Sequence, residues 1–357
     1  MAYWDDRPTI ATDFEYRGME TAFLENRHLR IMVVPGKGGD ILEFRDKRTD
    51  VDVLYHADYQ WDPPAERRIP STETSWNEHY PGGWQVNLPV AGDPRELEGT
   101  QYGQHGESAL LEWDSEVGRD DDEAVMLELT AELRRYPFTV RRELTLPADA
   151  SRLRIEESVT NEGEYPLEYV WQHHVALGRP LVGPGARLDV PASESYVGDY
   201  DESHTTNRLR GNQLFDWPTA DGVDGEDVDL RSFPPTDAEI HDQAFLLNVD
   251  DGWYAVSNGD LDLGFALSYP ADHFETLWYW QAFGGMDESP FWGRNYNVGL
   301  EPTTPHPDHT LPETHREKKT MKTLAPGETK TVELVASTYG DRDTVTGVDA
   351  TGAVSGN

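Results

Sequence analysis

The sequence predicts an all-β fold, a large antiparallel β-sandwich, on three observations. Apolar and polar residues alternate along most segments, turn signals separate those segments, and no stretch carries a long 3.6-residue apolar rhythm bounded by helix caps. The alternation is plain in VMLELTAELRR from Val125, SRLRIEESVTN from Ser151 and FLLNVDDGWYAVSN from Phe245, each a half-buried strand. Between such runs lie Pro35-Gly36, Asn161-Glu162-Gly163, Asp251-Gly252, Asn258-Gly259 and Pro326-Gly327, residue pairs and triplets suited to tight turns. Stretches rich in Pro, Gly, Asp, Thr and His at Trp61 to Pro81, Gly198 to Arg231 and Pro302 to Arg316 read as long loops that could line a mouth. One sandwich domain is expected over residues 1–340. Residues 341–357, DRDTVTGVDATGAVSGN, hold few bulky apolar side chains and are expected to fray.

Composition narrows the function classes. The 357 residues are 37% hydrophobic, enough for one large core, and no apolar run approaches the roughly 20 residues that cross a bilayer. The opening MAYWDDRPTIATDFEYRGME is acidic and lacks a basic-then-apolar leader, so the chain is expected to be soluble and cytoplasmic. With no cysteine there is no disulfide, thiolate metal site or cysteine nucleophile. Asp and Glu number 67 against 30 Lys and Arg, and the formal charge of −37 repels nucleic acid phosphates and anionic membranes, which excludes polyanion partners. Because 11 Trp, 16 Tyr and 11 Phe are spread along the chain, that charge coats a folded body. An acidic, lysine-poor surface suits concentrated salt, where screening removes self-repulsion, so a halophilic source is expected.

Three segments hold the residues suited to chemistry. The first runs from HYPGGWQVNLP, where Gly82 and Gly83 allow a tight backbone and Trp84 with Gln85 offers an indole face beside an amide, to YGQHGE, which carries His105. A sugar stacks its C–H face on indole while its hydroxyls seek amides. His105 between glycines has an equally ready account as a turn residue. In the second segment, WQHH, alternation sends Gln172 and His174 to one face and Trp171 and His173 to the other, so one histidine points into a given cleft. His173 has a ready account as a satisfied histidine in the sheet interior. In the third, the strand NVGLE runs into a proline that places Glu301 at a sheet edge or cleft wall, although an ordinary exposed glutamate is the competing account. Before it come LWYWQAFGG and PFWGRNYN; Trp278, Trp280 and Phe283 cannot all share one face with Tyr279 and Gln281, so some face the cleft or the opposite sheet. The G-x-S-x-G, H-E-x-x-H, P-loop and dinucleotide motifs are absent.

HYPGGWQ, QHGE, NEGEYPLEYVWQHHVALG and NVGLEPTT, in that order, resemble the aldose 1-epimerase (galactose mutarotase-like) superfamily, over a span from Gly38 to Leu324. The resemblance implies the galactose mutarotase-like supersandwich, a small-molecule carbohydrate as partner, and acid–base opening of the hemiacetal without a metal or organic cofactor. By motif, His174 corresponds to the acid, His105 to its partner and Glu301 to the base, while His173 stands where the family has asparagine. The family's sugar-binding aspartate and its early asparagine–arginine pair have no assigned counterpart. Trp84, Gln85, Gln172, His173 and Trp280 are the expected substrate-binding residues. Arg294 joins them, and with the run Arg134, Arg135, Arg141 and Arg142 it is a candidate partner for a phosphorylated sugar, although strand alternation makes that run surface charge. Two other classes stay open: a non-catalytic carbohydrate-binding protein, and a metal-dependent isomerase or lyase using His105, His173, His174 and Glu301 as ligands.

Overall fold

A computed structural model describes residues 7–59, 61, 75–199, 206–305, 321–340 and 342–357. Two antiparallel sheets dominate. The larger has 12 strands and runs Thr9–Tyr16, Met19–Glu25, Leu29–Val34, Asp40–Asp46, Trp84–Asn87, Gln172–Gly178, Tyr296–Thr303, Thr276–Phe283, Ile240–Leu246, Glu194–Val197 and Gln213–Asp216, with Val51–Asp52 beside Asp40–Asp46. The smaller has 8: Ala186–Asp189, Trp253–Asn258, Leu263–Ser268, Thr329–Tyr339, Arg152–Asn161, Phe138–Pro147, Ala124–Glu132 and Asp114–Asp120. No helix among the described residues is long and apolar enough to cross a membrane.

The alternation read from the sequence is the alternation of burial. In Ala124–Glu132 the side chains of Val125, Leu127 and Leu129 point inward and are almost fully covered, while Met126, Glu128 and Thr130 between them are half-exposed. Each such aliphatic side chain stabilises the fold by roughly 1.5–3 kcal/mol. The two sheets meet through these inner faces, as where Phe44 of the large sheet sets its ring edge-on to Phe265 of the small one at 5.4 Å. Gln172–Gly178 and Tyr296–Thr303 depart from the alternation, being buried on both faces. One face packs on the small sheet, and loops carrying Tyr59, Trp76, Tyr80 and Phe291 roof the other. That roof makes a cavity possible over the middle of the large sheet.

Three expectations are corrected. Residues 342–357 do not fray: Val345–Val348 pairs with Val354–Gly356, and Val345 and Val348 bury against Trp253, Ala255 and Ala266. Valines on one side of a short hairpin suffice here because the small sheet presents an apolar outer face, and Asp189 Oδ2 accepts the Val345 N–H at 2.9 Å. Arg142 is not surface charge but fully buried between the sheets, its Nε 2.7 Å from Glu157 Oε1. In Phe138–Pro147 alternation exposes Arg141 and turns Arg142 inward. The loops expected at Trp61 to Pro81, Gly198 to Arg231 and Pro302 to Arg316 lie partly outside the described residues; the second of them contains the short strands Gln213–Asp216, Thr219–Asp221 and Asp227–Asp229.

Candidate functional site

Strand register brings the second and third sequence segments together. Gln172 pairs with Thr303 and Ala176 with Gly299, so His174 lies opposite Glu301 on adjacent strands of the large sheet. His174 Nε2 is 3.4 Å from Glu301 Oε1, and both side chains are almost fully covered. On the next strand Trp278 pairs with Glu301 and Trp280 with Gly299, and beyond that Gln243 pairs with Trp280, so all of these face one side. A cavity of about 210 Å³ lies over them, walled by Trp76, His105 and Phe291 from the roof. Gly299 keeps its floor open: a Cβ there would stand 2.3 Å from Glu301 Oε1.

His105 enters from the loop after Thr100–Tyr102. It holds a left-handed backbone (φ 59°), and Gly106 after it (φ 77°) passes so close to the Leu88 carbonyl that a Cβ would lie 2.4 Å from that oxygen. Its Nδ1 receives the Gly92 N–H at 3.2 Å and lies 3.1 Å from Asn87 Nδ2. Trp76 packs against both histidines, its ring centre 4.4 Å from that of His105 and 5.0 Å from that of His174.

Burial sets the charges. It pushes the Glu301 carboxyl well above the ordinary range and brings His174 down to about 3, with the distant Lys37 charge acting the same way. His105 is likewise pushed well below its usual value, first by burial and then by His174. Burial thus favours the uncharged form of each member of the 3.4 Å contact, a neutral imidazole and a protonated carboxyl.

Of the residues singled out in the sequence, His105, His174, Trp280 and Glu301 line the cavity. Gln85 and Gln172 face the same side but lie beneath its floor: Gln85 Nε2 donates to Gly82 O at 2.7 Å and to Asp40, and Gln172 bonds Asn87 and Thr303. Trp84 and His173 point the other way, into the space between the sheets. There Trp84 Nε1 donates to His173 Nδ1 at 3.1 Å, and His173 Nε2 lies 3.3 Å from Glu157. Their assignment to substrate binding is corrected, since alternation along each strand puts both on the core face. Arg294 is exposed and bonds the carbonyls of Phe291 and Pro290, so it braces its own loop and does not line the cavity.

Sequence reasoning left out Trp76, Asp93, Gln104, His241 and Gln243, all of which line the cavity. Trp278 could be found by its parity with Trp280. His241 and Gln243 alternate in IHDQAFL, but nothing local says that this strand pairs with the tryptophan strand. Among the described residues, no three His, Asp or Glu side chains converge as metal ligands.

The fold is the galactose mutarotase-like fold. A putative aldose 1-epimerase from Klebsiella pneumoniae superposes with a TM-score of 0.69 at 18% identity, covering 94% of this chain and 83% of that one. A galactose mutarotase-like protein from Clostridium acetobutylicum gives 0.67 at 14% identity over 94% and 100% of the two chains. A TPR-domain containing protein from Parabacteroides distasonis gives 0.62 at 14%; 90% of this chain aligns, but it spans only 47% of that longer protein. No curated protein matches the sequence. The pattern of the family described as "Domain of unknown function (DUF4432)" matches residues 16–337, and the chain belongs to that family.

Proposed function

We propose that the cavity binds a carbohydrate and that Glu301 and His174 interconvert its anomers by opening and reclosing the ring. The observation that carries this is the buried 3.4 Å contact between an imidazole and a carboxyl in the floor of a tryptophan-walled cavity. Trp76, Trp278 and Trp280 offer flat apolar faces to the C–H side of a sugar, and His241 and Gln243 offer polar groups to its hydroxyls.

The chemistry needs one proton removed from the anomeric hydroxyl and one given to the ring oxygen as the C1–O5 bond breaks. The product is an open-chain aldehyde, and rotation about C1–C2 followed by the reverse steps gives the other anomer. In the assignment that follows the family resemblance, Glu301 first passes its proton to His174; Glu301 then takes the hydroxyl proton while His174 protonates the ring oxygen. The pair ends in the neutral state in which it rests, so no proton is drawn from solvent. The converse, Glu301 donating and His174 accepting, uses the same single proton and needs no preliminary transfer. Each proton transfer contributes about 10²–10⁴-fold.

The test is anomer exchange of pure aldoses followed by polarimetry or exchange NMR, with calorimetric binding alongside. Glu301→Gln and His174→Ala are expected to abolish acceleration while binding persists. Binding that persists with no acceleration in the unmutated protein, for any common aldose, would leave a non-catalytic carbohydrate-binding protein instead.

A further inference from the structure

We propose that Asn87 is a positioning residue that fixes His105 in one tautomer, with its proton on Nε2 and available to a ligand oxygen in the cavity. The inference rests on a buried run of hydrogen bonds whose direction is set independently at each end. At one end the Glu301 carbonyl can only accept, so the Thr303 hydroxyl, 2.9 Å away, donates to it and is left to accept. Gln172 must therefore turn its amide nitrogen to Thr303, at 3.1 Å, and its amide oxygen to Asn87. That oxygen takes one hydrogen of Asn87 Nδ2 at 2.9 Å, which aims the second hydrogen at His105 Nδ1, at 3.1 Å.

At the other end the Gly92 backbone N–H can only donate, and it too points at Nδ1, at 3.2 Å. Two donors on one ring nitrogen require that nitrogen to be bare. Asn87 and Gln172 are both fully buried and sit opposite each other in the strand pairing, so neither amide can trade this arrangement for water. Burial keeps the ring neutral against a Gln172 side-chain contact that favours its charged form, and the Gly92 and Asn87 donors on Nδ1 leave the single proton on Nε2. An aspartate at position 87 would reverse the polarity, since a carboxylate offers Nδ1 no hydrogen.

The tautomer does not depend on the reaction proposed above; only the statement that a sugar oxygen accepts from Nε2–H rests on that reading. The test accordingly uses the ligand-free protein. In ¹⁵N-histidine NMR at neutral pH, with the His105 signal identified through His105→Gln, we expect a protonated Nε2 and a bare Nδ1. In Asn87→Asp the Nδ1-protonated population is expected to rise at least about tenfold, the effect of exchanging one hydrogen bond for its opposite. Asn87→Leu, which only deletes the donor, shifts the population the same way to a smaller extent and serves should the aspartate variant not fold. A wild-type ring protonated on Nδ1 would overturn the proposal, as would an unchanged tautomer in whichever variant folds.

Discussion

Gly299→Ala separates the demands of the site from those of the fold. The added Cβ would stand 2.3 Å from Glu301 Oε1, where ordinary contact begins at 3.4 Å, so the carboxyl must retreat by about 1.1 Å. The end of a glutamate side chain can do this cheaply, and the second neighbour, Trp280 Cε3 at 3.2 Å, needs to yield only slightly. Position 299 lies in an extended strand where alanine is sterically acceptable, and losing glycine's freedom in the unfolded chain favours folding by about 0.4–1 kcal/mol. Stability should therefore change by no more than about 1 kcal/mol. Activity should not survive so well. A shift of about 1 Å in a reacting group costs about 10²-fold, or about 2.7 kcal/mol of barrier, because proton transfer needs hydrogen-bond geometry. Chemical denaturation and anomer-exchange NMR on the same preparation read the two quantities. A variant of unchanged exchange rate would refute the claim that the position of Glu301 controls the reaction.

Arg142→Met leaves Glu157 without its cation in the space between the sheets; a loss of about 3–5 kcal/mol is expected in urea unfolding, and a loss under about 1 would contradict the buried pairing. His174 titrates near 3 when folded against about 6.5 when unfolded, so the unfolded chain takes up the proton first. Its contribution is present above about pH 6.5 and is lost as pH falls towards 3, and His174→Gln should flatten the acid limb of stability by up to about 1.4 kcal/mol per pH unit. Equal limbs in the two proteins would contradict this. Raising salt from about 0.1 M to about 1 M shortens the Debye length from about 10 to about 3 Å. With a formal charge of −37, the melting temperature is expected to rise across that range, and indifference to salt would remove the case for a halophilic surface.

The fold was legible because strand alternation is a local signal, and so were the two faces of the strand Gln172–Gly178: parity alone separates His174 from His173. The same parity applied to Trp84 and Gln85 puts the indole on the core face, and applied to Arg141 and Arg142 it turns one inward. Composition misleads at Trp84, because a tryptophan suggests a platform, whereas for the adjacent Arg141 and Arg142 strand alternation, applied strictly, leaves only one of the two at the surface. His241 and Gln243 were invisible for another reason, since their place depends on a strand pairing that no nearby residue announces. The C-terminal hairpin was missed likewise: its valines are too few to predict a core and become buried only against Trp253, almost a hundred residues earlier. The resting charges could not be read from sequence at all, because desolvation depends on the roof that Trp76 and Tyr80 lay over His174.

A structure of the protein with a bound aldose tests the central claim most directly. The account predicts the anomeric hydroxyl and the ring oxygen each at about 2.6–3.2 Å from one member of the Glu301–His174 pair, with the sugar's C–H face on Trp76, Trp278 or Trp280. A sugar seated with its anomeric carbon turned away from that pair, or bound outside the cavity, would contradict it.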